Sequence, residues 1–260
     1  MTDSVRDATF DVMRRHGMTT IFGNPGSTEI AFLAGLPGDL RFVLALHEGA
    51  VVGIATGHAL ATGEPAFVNL HTAAGLGNAV AAIANARDLR APLVVVTGQQ
   101  DRRHSALAPF LTGRSLESLA GDYPVWRGVP ARPQDVPGTI ARAWHEARTR
   151  RGPALVVVPM DDWHADAGDT RAAAGAPARL LNAPLVDAGA LAELADLIDA
   201  ATAPALVAGA GADDAAGWAA TVALAERLCC PVFQEPFGAR AGFPQGGDRQ
   251  EPALGSVGPC

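Results

Sequence analysis

Three short stretches of this chain place chemically capable side chains directly after apolar, strand-like runs. The first is His47-Glu48, which follows the run 42–46 and precedes the apolar helical segment that opens Gly49-Ala50-Val51-Val52. A carboxylate with such flanks is desolvated, which raises its pKa and suits it to share a proton with a ligand nitrogen. The same glutamate would also sit well in the positive first turn of a helix with no further role. The second stretch, His71-Thr72-Ala73-Ala74-Gly75-Leu76-Gly77-Asn78, follows the run 66–70. An imidazole at a strand's carboxyl end can take and give a proton near neutral pH, although a purely structural histidine explains the position as well. Its Gly-Leu-Gly does not complete a dinucleotide fingerprint, because Val80 stands where the third glycine belongs. The third stretch is Phe22-Gly23-Asn24-Pro25-Gly26-Ser27, whose glycines and proline bring backbone close to a ligand. Ser27 reads first as a helix N-cap, with Glu29 favourable in the first turn, and second as a ligand-binding hydroxyl.

Other stretches carry less. His104 lies among Arg102, Arg103 and Ser105, a pattern of a solvated or interface loop. Asp161-Asp162-Trp163-His164 is a single short cluster without the ligand set a metal site needs, so no metal ligand is assigned. Gly209-Ala210-Gly211 is explained by turn formation as well as by contact with a ligand.

The elements that must position these groups alternate. Residues 4–16 carry apolar side chains in a helical rhythm stopped by Gly17. Strand-like runs follow at 19–22, 42–46, 66–70, 93–97 and 154–158, with a weaker one at 124–127, and helical segments at 27–36, 49–61, 77–86 and 136–149. Several runs are apolar without alternation, as strands buried on both faces are. This order predicts a doubly wound α/β fold, a mainly parallel six-stranded sheet with helices on both faces. In such sheets ligands bind beyond the carboxyl ends of the strands, where the three stretches fall. We divide the chain into a first domain at 1–160 and a linker at 161–180, rich in Asp, Gly, Ala and Pro. An incomplete second α/β domain follows at 181–240, one β-α-β unit, and then an irregular tail at 241–260.

Composition narrows the function classes. With 260 residues and 48% hydrophobic content there is material for a real core, and disorder is excluded. The formal charge of -7 leaves no basic field for DNA or RNA. All 20 basic residues are arginine, which excludes lysine Schiff-base chemistry and a lysine-dependent phosphate loop. Three cysteines, two of them adjacent, form no even framework and no C-x-x-C pair, and no run approaches the length of a membrane span. These features place the protein in the cytoplasm, without a membrane partner.

The three stretches, together with Gly98-Gln99-Gln100 and Val158-Pro159-Met160-Asp161-Asp162-Trp163, occur in the order seen in thiamine-diphosphate enzymes. The chain resembles the N-terminal, pyrimidine-binding part of that family, in its benzoylformate-decarboxylase branch, over about residues 1–240. The resemblance implies a thiamine diphosphate cofactor, bound at its pyrimidine end by Glu48, Asn24, Pro25, Gly26, Gly75 and Asn78. It implies that Glu48 hydrogen-bonds N1′ of the aminopyrimidine and promotes its imino tautomer. His71 becomes an acid/base group, and Ser27 a ligand for the substrate, a 2-oxo acid of aromatic type. The absence of a His-His dipeptide speaks against the pyruvate-decarboxylase branch. By the same resemblance Mg²⁺ and the diphosphate are held by a further domain, with a Gly-Asp-Gly and a distant Asn-Asn, beyond residue 260, and a second catalytic histidine lies there too. The expectation is a fragment, inactive alone, that works as a homo-oligomer or with a diphosphate-domain partner; the alternative is a non-catalytic remnant that keeps the domain's fold and dimer surface.

Overall fold

The structure, a computed structural model, describes residues 3–168, 186–237 and 240–243. These fall into two compact units that divide near residue 182.

The first unit opens with α1 (Val5–Arg15), started by a capping box in which the Asp7 N–H donates to Ser4 Oγ and the Ser4 N–H donates to the Asp7 carboxylate. There follow β1 (Thr20–Asn24), α2 (Ile30–Leu33), β2 (Arg41–Leu44), α3 (Glu48–Thr62), β3 (Ala66–Leu70), α4 (Thr72–Asp88) and β4 (Leu93–Gln99). The unit continues with α5 (Leu116–Leu119), β5 (Trp126–Gly128), α6 (Val136–Arg150) and β6 (Pro153–Pro159). The six strands form one sheet in the order β2-β1-β3-β4-β6-β5, and every pairing is parallel. Every residue of β3 and β6 is buried, as are the first six of β4. Each such Val or Leu contributes ~1.5–3 kcal/mol of transfer free energy, which explains why these runs read without alternation. One face of the sheet packs on α1, α2 and α6 through Phe10, Phe32, Ile140 and Trp144. The other packs on α3 and α4 through Val51, Val52, Leu76 and Ile83.

The differences from the sequence reading lie in the connections. The helix expected at 27–36 shrinks to the single turn Ile30–Leu33, because the Glu29 carboxylate folds back onto the Gly26 N–H at 2.8 Å and residues 27–29 form a turn. The strand expected at 42–46 ends at Leu44, since His47 becomes the N-cap of α3, its Nδ1 accepting the Gly49 N–H at 3.0 Å. The helix expected at 77–86 begins at Thr72, so Gly75 lies on helix and not in a turn. The segment taken as a linker from 161 begins within the first unit. Trp163 is buried against Phe32, and the Val5 N–H donates to the Ala165 carbonyl at 2.9 Å. The rest of that segment, 169–180, lies outside the described residues, as does most of the tail at 241–260.

The second unit contains α7 (Ala188–Ala200), β7 (Leu206–Ala208), α8 (Ala215–Leu228) and β8 (Val232–Gln234), with β7 and β8 paired in parallel. Its core is small: Ala208, Ala225 and Val232, with Leu206 and Phe243 against them. Leu191, Leu194 and Leu197 of α7 are exposed. No helix among the described residues is long and apolar enough to cross a membrane.

A two-stranded unit with so little buried surface opens more readily than a six-stranded sheet. In hydrogen exchange followed by mass spectrometry, amides of β7 and β8 are expected to exchange at least about tenfold faster than those of β3 and β4. Equal protection would show that the second unit is as stable as the first.

Candidate active site

The sheet order creates the site. The chain leaves β1 toward β2 on one side and returns past it to β3 on the other, so a crevice opens at the carboxyl ends of β1 and β3. Asn24 is the last residue of β1, His71 follows β3, and Glu48 begins the helix that leads from β2 to β3. All three therefore reach the crevice, Asn24 from the sheet itself and Glu48 and His71 from the starts of α3 and α4, which pack on one face.

One cluster is built on Glu48. Its side chain is 7% exposed, and its two oxygens accept separate hydrogen bonds, Oε1 from Asn24 Nδ2 at 3.1 Å and Oε2 from Asn78 Nδ2 at 3.0 Å. Burial pushes the carboxyl upward, but the hydrogen bonds from Asn78, its own backbone and Asn24, with His47 nearby, outweigh it. The net shift is downward, opposite to the expectation from apolar flanks alone. Sequence shows the flanks but not the two amides that reach across from β1 and α4.

The second cluster is built on His71. Its Nδ1 lies 2.9 Å from Glu29 Oε2 and 3.0 Å from Thr28 Oγ1. Glu29 is 1% exposed and also accepts from the Gly26 N–H and from the Thr28 hydroxyl. A carboxylate acceptor selects the tautomer with its proton on Nδ1, which leaves Nε2 as the nitrogen able to take a proton. Two glycines make room for this network. A Cβ on Gly26 would come within 2.4 Å of His71 Nδ1, and a Cβ on Gly98 within 2.0 Å of Glu29 Oε1. Thr72, next to His71, holds φ at +38°, a left-handed conformation that a β-branched residue adopts only when its surroundings impose it.

Gly75 lies between the two clusters: a Cβ there would stand 3.4 Å from Glu48 Oε1 and 3.5 Å from His71 Cβ. The structure thus brings together Glu48, Asn24, Asn78, Gly75, His71 and Gly26 of the residues singled out in the sequence. Pro25 and Ser27 are exposed on the turn between β1 and α2, and Ser27 is not an N-cap, since Glu29 occupies that position. Sequence reading assigned no site role to Thr28, Glu29 or Gly98. Glu29 looked like an ordinary first-turn acid; the paired glycines at 26 and 98 were the signal that a buried side chain needed space. Asp162 is paired with Arg102 at 2.7 Å, and among the described residues no group of three His, Cys, Asp or Glu could hold a metal ion. A shallow groove of about 390 Å³ along β5, lined by Trp126, Arg132 and Arg142 among others, includes none of the candidate residues.

The lowered pKa of Glu48 has a testable sign. A carboxylate whose folded pKa lies below its unfolded value stabilises the fold above the unfolded pKa, and that contribution is lost as pH falls through the folded one. In carbon-detected NMR titration, Glu48 Cδ is expected to titrate below the ordinary glutamate value, and Asn78→Ala is expected to move its midpoint upward. A midpoint unaffected by loss of the Asn78 amide would refute this account of the site's charge.

Comparison with known proteins bears on these clusters. Residues 3–118 match the family model described as thiamine pyrophosphate enzyme, N-terminal TPP binding domain. The chain is 41% identical to benzoylformate decarboxylase of Pseudomonas aeruginosa over 93% of its own length and 46% of that protein's. Among solved structures, the thiamine diphosphate-dependent 4-hydroxybenzoylformate decarboxylase of Rhodococcus jostii RHA1 superimposes with a TM-score of 0.87 at 40% identity, covering 93% of this chain and 46% of that one. Benzoylformate decarboxylase from Polynucleobacter necessarius gives a TM-score of 0.81 at 35% identity, covering 96% of this chain and 46% of that one. The chain therefore spans about half the length of these relatives. With matching order of elements, matching sequence and matching backbone, it belongs to the thiamine pyrophosphate enzymes, of which it carries the N-terminal TPP binding domain.

Proposed function

We propose that this chain is the cofactor-activating part of a thiamine-diphosphate-dependent decarboxylase of aromatic 2-oxo acids, with Glu48 as the carboxylate that engages the aminopyrimidine. The observation that carries this reading is the Glu48 carboxylate itself: buried at the start of α3, oriented by one amide on each oxygen, and held below the ordinary pKa range. Such a group is an acceptor with a fixed direction in a weakly solvated site. The residues around it fit the flat end of the cofactor, since Gly75 presents no side chain beside Glu48. The named relatives that decarboxylate benzoylformate and 4-hydroxybenzoylformate support the substrate class.

When bound, thiamine diphosphate supplies a thiazolium ring that accepts the electrons left by departing CO₂. The chain's own residues then divide the work. Glu48 shares a proton with pyrimidine N1′, and Asn24 and Asn78 keep its oxygens from rotating. His71, held through Nδ1 by Glu29, is free to exchange a proton at Nε2 with the substrate oxygen. Ser27, exposed on its turn, donates its hydroxyl to the substrate carboxylate, and Pro25 and Gly26 keep that turn close to the cofactor. Mg²⁺ and the diphosphate would be held by residues other than those described here, in a diphosphate domain or partner subunit that completes the site within a homo-oligomer. On this reading the protein works in the cytoplasm on a small molecule, without nucleic acid or membrane.

Fusing the chain to the carboxy-terminal part of a benzoylformate decarboxylase provides the test. Glu48→Gln is expected to slow hydrogen/deuterium exchange at the cofactor's thiazolium C2 by about 10²-fold or more, and His71→Ala to lower turnover of benzoylformate by about 10²- to 10⁴-fold. Ser27→Ala is expected to act on KM, since a hydrogen bond to a charged group is worth ~1.5–3 kcal/mol. Unchanged C2 exchange in Glu48→Gln would remove Glu48 from its role. For the 260-residue chain alone, calorimetric titration with thiamine diphosphate and Mg²⁺ is expected to give no micromolar binding and no CO₂ release from benzoylformate.

A further inference from the structure

The loop after β4, residues 101–113, is fastened at both ends by groups that take no part in the clusters above. At its start the Arg102 guanidinium donates to both oxygens of Asp162, Nε to Oδ1 at 2.7 Å and Nη2 to Oδ2 at 2.7 Å. It also reaches the carbonyls of Pro130 at 2.8 Å and Ala131 at 3.2 Å, while the Arg102 backbone N–H donates to Asp161 Oδ1 at 3.0 Å. Asp162 is completely buried. At the far end the Gln99 carboxamide clasps Gly113, Nε2 donating to its carbonyl at 2.7 Å and Oε1 accepting from its N–H at 2.9 Å. Between these points Gln100 Nε2 donates to the Phe110 carbonyl at 3.1 Å.

What the fastenings hold is unusual. Leu107 and Phe110 are 80% and 89% exposed, and Ala108 and Leu111 hold φ at +43° and +71°. Exposed apolar side chains and left-handed non-glycine residues each cost free energy, which the fastened ends and the turn at 102–107, capped by Asp101 and closed by the Ala108 N–H on the Ser105 carbonyl, offset. The loop springs from β4, the strand beside β3, and Gly98, three residues before the loop begins, lies against the Glu29 carboxylate. A fully buried carboxylate is costly unless its partner is well placed. Here the partner is not in the core; it is the first arginine of the loop.

We propose that Arg102 and Asp162 are a positioning pair that sets the 101–113 loop, and with it the apolar crest of Leu107 and Phe110, at the carboxyl edge of the sheet. The pair acts through the loop and touches no reacting group. The inference stands on the geometry of the chain itself and is tested without cofactor, so its failure is separable from failure of the proposed activity.

The test is hydrogen exchange together with limited chymotrypsin digestion of the 260-residue chain. Because Arg102→Met strands a buried carboxylate, the double variant Arg102→Met/Asp162→Leu, which removes both charges, is measured beside it and beside Arg102→Lys. In the double variant, exchange across 101–113 and cleavage after Leu107 or Phe110 are expected to quicken by about tenfold or more, while exchange in β3 and β4 stays within about twofold. Arg102→Lys, which keeps the charge but loses the paired geometry, is expected to fall between the two. Unchanged loop exchange in the double variant would overturn the proposal. So would an equal acceleration in the loop and the core strands, which would make the pair a contributor to global stability and nothing more.

Discussion

The reversal of strand order across β1 is the constraint on which the site depends. Since β1 pairs with β2 on one side and β3 on the other, the connection from β1 to β2 through α2 and the one from β2 to β3 through α3 lie over opposite faces of the sheet and part at the crevice between β1 and β3. Backbone from both faces therefore meets at one edge. The Glu29 side, from the turn before α2, and the Glu48 side, from α3, could not approach each other anywhere else in this topology. His71 and Gly75, carried by the strand and helix between them, join the two.

The two carboxylates at this edge are held in contrasting ways. Glu48 receives two amide N–H groups from side chains, so its orientation depends on Asn24 and Asn78, and the site keeps an ionised acceptor in apolar surroundings. Glu29 is enclosed by a backbone N–H, a hydroxyl and an imidazole, with Gly98 pressed against one oxygen. The first arrangement holds the acceptor by one side-chain amide on each oxygen, beside the bare backbone of Gly75; the second turns the acceptor's capacity inward and orients the histidine. One acid is thus directed by its neighbours, and the other directs His71.

Much of the frame was readable from sequence because parallel strands covered on both faces must be apolar throughout. The runs at 66–70, 93–97 and 154–158 coincide with β3, β4 and β6 to within two residues at either end, and Glu48 and His71 were placed at strand ends for the same reason. What could not be read depends on partners far apart in the chain. The downward shift of Glu48 comes from amides 24 and 30 residues away, and the Arg102 to Asp162 pair spans 60. The start of α4 is misplaced by sequence because Gly75 and Gly77 look like turn residues, whereas both are helical and Gly75 faces Glu48. Glu29 was read as a first-turn acid because local rules favour that explanation, and only the folded chain shows the imidazole above it.

Thr72 carries a consequence for the history and engineering of the chain. Holding a β-branched residue at φ +38° costs roughly 1–3 kcal/mol, and the cost is incurred at the residue next to His71, where α4 begins. Glycine would relieve it and at the same time loosen the imidazole. Glycine would also give up a side chain that is 1% exposed and add freedom to the unfolded chain, so the relieved angle and the lost packing oppose each other in stability. The strained angle is thus retained by the packing of the very residue that bears it.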